Sequence, residues 1–360
     1  MPPKLVVYAG VGSSHSWTWL ADILEANAFG DVRFLDERGF AESLGDRCSI
    51  AAISGGDAYA IASALSMDGF AKLERFIRSG GGYVGICAGA YLPLPTSAPP
   101  LSGFNLCSAK IENIMGGLPT PGSESPRLSV GYCDKRIIHP VRGEVLLSCG
   151  DVSVKAPVYG GPVFREPTDE RVMGRFSGFT EKTEVQIDAQ SAREMVLGRP
   201  AVIEARYGKG RMLLLSPHLE HPLYPEANLL FMGLLCLPVD GAQNTTVTQP
   251  TAASSKGELS RAVADLAVSL HGLEGQSFVI GNKIWDSERF LVLLEAVRKR
   301  SVLLPEDVAN SLAVRLHSIR MSLLDTPLDA SESIDAVLDS LMCVTRDCVN
   351  LRFEQMSDGR

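Results

Sequence analysis

The sequence predicts an α/β fold in which a mostly parallel sheet is flanked by helices, with a small all-α domain at the C-terminal end. Short apolar runs alternate with amphipathic segments through the first 95 residues, which is the pattern of βαβ units. Segments punctuated by Gly and Pro between residues 101 and 178 indicate antiparallel or mixed strands with long loops. Four segments beyond residue 257 carry apolar side chains at i, i+3 and i+4 spacing, which predicts helices.

The individual elements follow from these patterns in chain order. Buried strands are predicted at residues 5–9, 31–35, 49–53 and 82–86. Helices are predicted at residues 16–28 and 65–78, and the second is closed by the glycines at 80–82. A hairpin is expected to join residues 200–207 to 211–216 through Gly208-Lys-Gly210, and a further helix is expected at 226–235.

Composition divides the chain into three parts. Residues 1–239 are predicted to form the α/β domain. Residues 240–256 are rich in Gln, Asn, Thr, Ser and Pro and have little to bury, so they are predicted to be a linker. Residues 257–360 are predicted to form a helical domain, and the sequence does not indicate its role.

The charge balance bears on the class of partner. The 360 residues include 34 Lys and Arg against 42 Asp and Glu, a net charge of −8, which argues against a broad basic face for nucleic acid. The cluster Arg298-Lys-Arg300 is interpreted as the solvated C-terminal end of a helix, where cations interact favourably with the helix dipole. Nucleic acid is therefore not expected as a partner.

Apolar runs and cysteine usage bear on location. No apolar run approaches the ~20 residues that span a bilayer, so no membrane association is expected. The N-terminal residues lack the pattern of a secretory signal. The eight cysteines are scattered without CxxC pairs, which is typical of reduced thiols. A cytoplasmic location is expected.

Gly85-Ile-Cys87-Ala-Gly89 is the first motif that could carry chemistry. It follows a predicted buried strand and precedes a predicted helix start, so it resembles the strand-to-helix elbow that exposes a nucleophile. The glycines permit a tight turn, and a helix N-terminus favours a thiolate. Cys87 is therefore a candidate nucleophile. The alternative is a buried structural cysteine.

Ser216-Pro-His218-Leu-Glu220-His221 is the second motif, and it ends a predicted apolar strand. Open α/β sheets place their sites at such strand ends. His218 could accept a proton from Cys87 while Glu220 orients the imidazole. Two alternatives remain open, namely His221 as the base, or His218, Glu220 and His221 as metal ligands. No metal is predicted, because no third separated ligand cluster accompanies them.

Two loops that follow predicted strands could complete this site. Adjacent Gly55 and Gly56 leave backbone N–H groups unobstructed, and with the Ala88 N–H they could hold an oxyanion; the alternative is a simple turn. Ser13, Ser14 and His15 follow the first strand. Loop capping is the favoured interpretation for the two serines, with lining of the site's mouth as the alternative. Trp17 and Trp19 are assigned to packing.

These motifs, in this order, resemble the class I glutamine amidotransferase-like superfamily. Three segments resemble its branch found at the N-terminus of eukaryotic biotin-protein ligases: Gly85-Ile-Cys-Ala-Gly-Ala-Tyr-Leu92, Val158-Tyr-Gly-Gly-Pro-Val-Phe164 and Ser216-Pro-His-Leu-Glu-His221. The resemblance covers about residues 4–238 and implies a flavodoxin-like, class I amidotransferase-like sheet. It implies these roles: Cys87 as nucleophile, His218 as base, Glu220 as orienter, and Gly56 and Ala88 as oxyanion donors.

The resemblance also implies a substrate pocket and limits the reaction. Its expected lining is Gly55, Tyr91, Tyr159, Gly160 and Gly161. Glutamine-hydrolysing relatives place Gln four residues after the cysteine, where this chain has Tyr91, so glutaminase activity is not expected. The glycine-arginine-rich adenylate-binding loop of biotin ligases is not found, so biotin transfer is not expected either.

Three hypotheses about function result. The first is a cysteine-dependent, amidase-like hydrolase that acts on a small amide or acyl substrate without a cofactor. The second is a catalytically silent binding or regulatory module that contacts a protein partner through the C-terminal helices. The third is a redox sensor based on Cys87, for which the sequence identifies no resolving cysteine.

Overall fold

A computed structural model describes residues 4–45, 48–115, 129–132, 135–167, 169–235, 257–281, 283–325 and 331–358. Contacts within it divide the chain into two compact units. The first comprises Met1–Ile23 and Leu35–Val239, and the second comprises Leu24–Phe34 and Asp240–Arg360. The predicted linker at 240–256 lies outside the described residues.

The described strands and helices are as follows. The strands are β1 (Leu5–Tyr8), β2 (Val32–Leu35), β3 (Ile50–Ile53), β4 (Gly82–Ile86), β5 (Ile114–Met115), β6 (Ser129–Tyr132), β7 (Lys135–Ile138), β8 (Val141–Cys149), β9 (Val152–Val158), β10 (Arg171–Val185), β11 (Pro200–Tyr207), β12 (Gly210–Leu215), β13 (Ser277–Ile280) and β14 (Lys283–Asp286). The helices are α1 (Trp17–Ala26), α2 (Glu37–Ser43), α3 (Ala58–Arg78), α4 (Ala88–Tyr91), α5 (Ala189–Val196), α6 (Pro225–Leu234), α7 (Gly257–His271), α8 (Ser287–Ser301), α9 (Glu306–Asp325) and α10 (Ser331–Asp358).

Nine of the described strands form one sheet, in the order β2-β1-β3-β4-β12-β11-β10-β8-β9. Strands β1, β3, β4 and β12 pair in parallel, each with its neighbour. They are short apolar sequences such as LVVY and IAAI and are almost wholly buried, as strands covered by helices on both faces must be. The predicted α/β fold with a helix-flanked sheet is confirmed.

The other half of the sheet is antiparallel. Strands β11 and β12 form the hairpin predicted from Gly208-Lys-Gly210, with Gly208 at a φ of +59°. Strands β10, β8 and β9 extend the sheet beyond β11 by antiparallel pairing. A separate three-stranded sheet has the order β5-β7-β6. The Gly- and Pro-punctuated region thus supplies the antiparallel strands, as its pattern indicates.

Two helices of the first unit differ from the sequence prediction. Helix α3 is broken at Ser66, whose φ is 58°, and the part after the break matches the helix predicted at 65–78. The part before it was not predicted, and it begins at Ala58 because the Asp57 carboxylate accepts hydrogen bonds from the N–H groups of Tyr59 and Ala60. Helix α2 is absent from the prediction, and its cap is Asp36, which accepts from the Gly39 N–H at 2.8 Å. In both cases a single capping carboxylate sets the start.

The parallel strands position the site. The loops that follow β1, β3, β4 and β12 all leave the same edge of the sheet, since parallel strands end on one side. These loops carry the polar residues singled out from the sequence. The candidate site is therefore at the carboxyl edge of the parallel half.

The second unit is mainly helical, as predicted. Helices α7 to α10 bury a row of apolar side chains, which includes Leu266, Leu293, Leu316 and Leu341. The unit also contains the antiparallel hairpin β13–β14, which was not predicted from the sequence. Among the described helices of the chain, none is long and apolar enough to cross a bilayer.

The basic cluster at the end of α8 differs from its sequence interpretation. Arg298 is exposed and paired with Glu295, as a solvated helix end requires. Arg300 is instead 1% exposed, and its Nη2 lies 2.9 Å from the Glu25 Oε2. Arg352 contacts the same carboxylate at 2.6 Å. The solvated interpretation is therefore wrong for Arg300, whose charge is neutralised inside the second unit.

Candidate functional site

Cys87 lies at the sharp turn between β4 and α4. Its backbone φ of 53° is in a region that side-chain-bearing residues rarely adopt, and its N–H donates to the Leu215 carbonyl at 2.8 Å. The flanking glycines are required: a Cβ on Gly85 would lie 2.4 Å from the Gly89 carbonyl oxygen, and one on Gly89 would lie 2.0 Å from that of Ile53. The sequence motif thus forms a strained elbow that presents the thiol.

His218 lies beside this elbow, on the segment that follows β12. Its Nδ1 is 2.7 Å from the Glu220 Oε1, and its side chain is hydrogen-bonded to Cys87. Because a carboxylate only accepts, Nδ1 carries the hydrogen, which leaves Nε2 as the nitrogen for Cys87. The structure therefore brings together the sulfur, the imidazole and the carboxylate that the sequence singled out.

The protonation state of His218 is set by its surroundings. Burial opposes a charged ring, but the Glu220 carboxylate and the Cys87 hydrogen bond outweigh it and raise the pKa of His218 to about 10. His218 is 2% exposed and Glu220 is wholly buried. At neutral pH the imidazole is thus held as imidazolium between its two partners.

A chain of hydroxyl groups leads to the same carboxylate. Ser54 donates to the Glu220 Oε1 at 3.1 Å, and its Oγ is 2.9 Å from that of Ser16. Ser16 is in turn 2.9 Å from the Oγ of Ser14. The three serines lie on the loops after β1 and β3 and are buried.

The glycines after β3 take different positions. The Gly55 N–H donates to Ser16 Oγ at 3.0 Å, and a Cβ on Gly55 would lie 2.9 Å from the His218 Cε1. Gly56 pairs with Ser13 in an antiparallel bridge, and a Cβ there would lie 2.2 Å from the Gly12 carbonyl oxygen. Both glycines are thus needed for close approach, Gly55 to the imidazole and Gly56 to the loop after β1.

Tyr91 is fixed by two hydrogen bonds at the end of α4. Its hydroxyl donates to the Gly160 carbonyl at 3.1 Å and accepts from Asn113 Nδ2 at 3.1 Å. Burial holds the pKa of Tyr91 well above its usual value. Gly161 packs so tightly that a Cβ would lie 2.1 Å from the Ser216 carbonyl oxygen. The residues after β9 are thus tied to the elbow helix through Tyr91.

Aromatic rings surround His218. Trp19 meets it edge-on with ring centroids 5.4 Å apart, and Tyr159 is 5.5 Å away. Trp19 also contacts His221 at 4.3 Å and His15 at 4.9 Å. Burial and the nearby His218 charge lower the pKa of His221 to about 4, so this ring is neutral at physiological pH.

The N-terminal part of the chain matches a known protein family. Residues 4–94 match the family model described as the N-terminal part of biotin-protein ligase. The resemblance to this family is confirmed over that segment. No curated protein matches the sequence.

Several solved structures align with about two thirds of the chain at low similarity. A GMP synthase subunit from Thermoplasma acidophilum is 13% identical, with a TM-score of 0.38, over 65% of this chain and 93% of its own. A β-galactosidase from Bacillus circulans is 14% identical, with a TM-score of 0.35, over 66% of this chain. The chain spans about a third of that galactosidase, 32% of its length.

The role of Trp19 in the candidate site was not predicted from the sequence. Trp19, assigned to packing, is the ring that His15, Tyr159, His218 and His221 share. The available signal was its place at the start of the helix after β1, next to the carboxyl edge.

Within the described residues, no group of three His, Cys, Asp or Glu side chains is placed to hold a metal ion, so the alternative metal set is not assembled.

Proposed function

We propose that the protein is a cysteine-dependent, amidase-like hydrolase in which Cys87, His218 and Glu220 act as a catalytic triad. The observation that carries the proposal is the pair of hydrogen bonds made by His218, to Glu220 on one side and to Cys87 on the other. A protonated imidazole beside the sulfur stabilises a thiolate, the nucleophilic form of cysteine. The strained backbone at Cys87 supports the same conclusion.

Cys87 and His218 carry out the steps of the proposed reaction. The Cys87 thiolate attacks the carbonyl carbon of an amide, so that a carbon–sulfur bond forms and the carbonyl π electrons move to oxygen. His218 donates its Nε2 proton to the departing amine as the carbon–nitrogen bond breaks. It then takes a proton from water, whose oxygen bonds to the acyl carbon as the carbon–sulfur bond breaks, so that a carboxylic acid leaves and the Cys87 thiolate and the His218 imidazolium are restored.

The developing oxyanion needs N–H donors, and two positions are proposed for them. Ala88 is the first residue of α4, and the N–H groups of a helix's first turn have no intrahelical acceptor. Gly56 supplies the second donor in this proposal. Gly55, Tyr159 and Gly160 are proposed to border the substrate beside the His218 ring.

The proposal does not extend to glutamine as substrate. The position four residues after the nucleophile is Tyr91, whose hydroxyl is already held by Gly160 and Asn113. The proposed substrate class is therefore a small carboxamide or another acyl compound. No metal or cofactor takes part in these steps.

Selective alkylation tests the proposal. Burial raises the pKa of Cys48 and Cys149 to about 11 and that of Cys107 and Cys348 to about 12, so these thiols stay protonated at neutral pH. A limiting dose of iodoacetamide followed by peptide mass spectrometry is expected to modify Cys87 first. Modification of Cys87 no faster than these four thiols would overturn the proposal.

A second candidate function is a binding module without turnover. It is favoured by the closure of the site, since the Cys87 side chain is only 7% exposed. A panel of small carboxamides and thioesters separates the two candidates. Hydrolysis that is lost in Cys87→Ser supports the enzyme, whereas binding without hydrolysis in both proteins supports the module.

A further inference from the structure

Buried hydroxyl groups form a continuous hydrogen-bonded chain that ends on the Glu220 carboxylate. Along it, Ser14 Oγ is 2.9 Å from Ser16 Oγ, Ser16 Oγ is 2.9 Å from Ser54 Oγ, and Ser54 Oγ is 3.1 Å from Glu220 Oε1. The serines come from loops that are 38 positions apart, and Ser54 is 166 positions from Glu220. All four side chains are buried.

The direction of the chain follows from the carboxylate. An ionised carboxylate only accepts, so Ser54 must donate its one hydroxyl hydrogen to Glu220. Ser54 therefore accepts from Ser16, which in turn accepts from Ser14 and from the Gly55 N–H. Every hydroxyl hydrogen points toward Glu220, and such aligned chains polarise one another.

The serine hydrogen bonds and the His218 imidazole meet at one oxygen atom of Glu220. Glu220 Oε1 accepts from both Ser54 Oγ and His218 Nδ1. The other carboxylate oxygen, Oε2, is buried and makes no hydrogen bond to any described residue. The Ser54 hydroxyl is thus the second donor that fixes which oxygen faces His218.

We propose that Ser54 is a positioning residue that acts through Glu220 to hold the His218 imidazolium against the Cys87 sulfur, with Ser16 and Ser14 orienting the Ser54 hydroxyl. The inference rests on the proposed function, because it concerns the same pair of groups. It extends the proposed function because it assigns a role to Ser14, Ser16 and Ser54, which are not members of the triad. A hydrogen bond to a charged group contributes more than a neutral one, so its loss is measurable.

Serine-to-alanine variants of the full chain test this role. Ser54→Ala is expected to slow alkylation of Cys87 by iodoacetamide about tenfold, the effect of one hydrogen bond to a charged group. Ser16→Ala and Ser14→Ala are expected to have successively smaller effects, about threefold and below about twofold, because each is one bond further away. Ser13→Ala is the matched control, since Ser13 is buried on the same loop but donates to the Gly10 carbonyl outside the chain.

A second readout separates positioning from packing. The ultraviolet absorbance of thiolate at neutral pH, taken as the difference from Cys87→Ser, reports the Cys87 ion pair directly. Ser54→Ala is expected to reduce this difference, whereas Ser13→Ala is expected to leave it unchanged. If Ser54→Ala does not fold, Ser16→Ala carries the same comparison, because its hydroxyl is the donor to Ser54.

The outcomes distinguish the two proposals. In one outcome, wild-type Cys87 reacts fast, and a folded Ser54→Ala variant gives the same alkylation rate and thiolate absorbance as Ser13→Ala. This result overturns the positioning role of Ser54 but leaves the proposed triad supported. If wild-type Cys87 shows neither fast alkylation nor thiolate absorbance, the proposed function fails and the positioning role fails with it. A graded loss from Ser14 to Ser54 supports both.

Discussion

His218 Nδ1 lies 2.7 Å from Glu220 Oε1, and both side chains are buried. Replacing the carboxylate by a neutral amide of the same shape, in Glu220→Gln, removes the charge that keeps the imidazole protonated. The rate of Cys87 alkylation at neutral pH is expected to fall by about 10- to 100-fold, the range for a lost hydrogen bond to a charged group. Stopped reactions with iodoacetamide, followed by mass spectrometry of the Cys87 peptide, measure the rate.

The matched control for this change is Glu226→Gln, at an exposed site in the first turn of α6. It introduces the same amide and should leave Cys87 alkylation unchanged. An equal rate in Glu220→Gln and Glu226→Gln would show that the Glu220 charge does not act on the sulfur.

The pKa of His218, raised to about 10 by Glu220 and Cys87 against the effect of burial, predicts an unusual titration. Carbon-13 histidine resonances should show one ring that loses its proton near pH 10, while His221, lowered by burial and by the His218 charge, should titrate near pH 4. Assignment by His218→Gln and His221→Gln identifies each signal. A His218 signal that titrates near its ordinary value of 6.5 would contradict the ion pair.

The same shift has a consequence for stability. A group whose pKa is higher in the folded than in the unfolded chain stabilises the fold fully below its unfolded value. For His218 this contribution is present below about pH 6.5 and is lost as the pH rises through about 10. Wild type should therefore lose unfolding free energy as the pH rises toward 10. His218→Gln lacks this group, so its unfolding free energy, measured by urea denaturation, should fall less over the same pH range.

The comparison between sequence and structure shows which parts of the site local patterns can predict. Cys87 and His218 were predictable because each follows an apolar strand within one short motif, and parallel strands end on one edge. The serine hydrogen bonds and the contact between Trp19 and His218 were not, because they join segments that are far apart in sequence. Arg300 was misassigned for the same reason, since its partner Glu25 is in the N-terminal part of the chain.

The elbow glycine Gly89 is predicted to tolerate no side chain. In Gly89→Ala the new Cβ would lie 2.0 Å from the Ile53 carbonyl oxygen, which is backbone and cannot rotate away. The free energy of unfolding is expected to fall by about 3 kcal/mol, the upper part of the usual range for overpacking. Urea denaturation measures the change.

The control for this substitution is Gly233→Ala in α6, where a Cβ meets open space. Because alanine favours helix, this variant is expected to gain about 0.5–1 kcal/mol. A loss in Gly233→Ala as large as that in Gly89→Ala would show that the contact with Ile53 is not the cause.

The buried charge of Arg300 predicts that the second unit is sensitive to substitution of Glu25. Glu25 neutralises Arg300 and also contacts Arg352, so Glu25→Ala leaves a cation 1% exposed without its carboxylate. Breaking a buried pair in this way costs about 3–5 kcal/mol.

The exposed pair Arg298–Glu295 on the same helix is the comparison: Glu295→Ala is expected to cost less than about 1 kcal/mol. Equal losses in the two variants, measured by urea denaturation, would contradict the buried role of Arg300, because only a desolvated charge makes removal of its partner this costly.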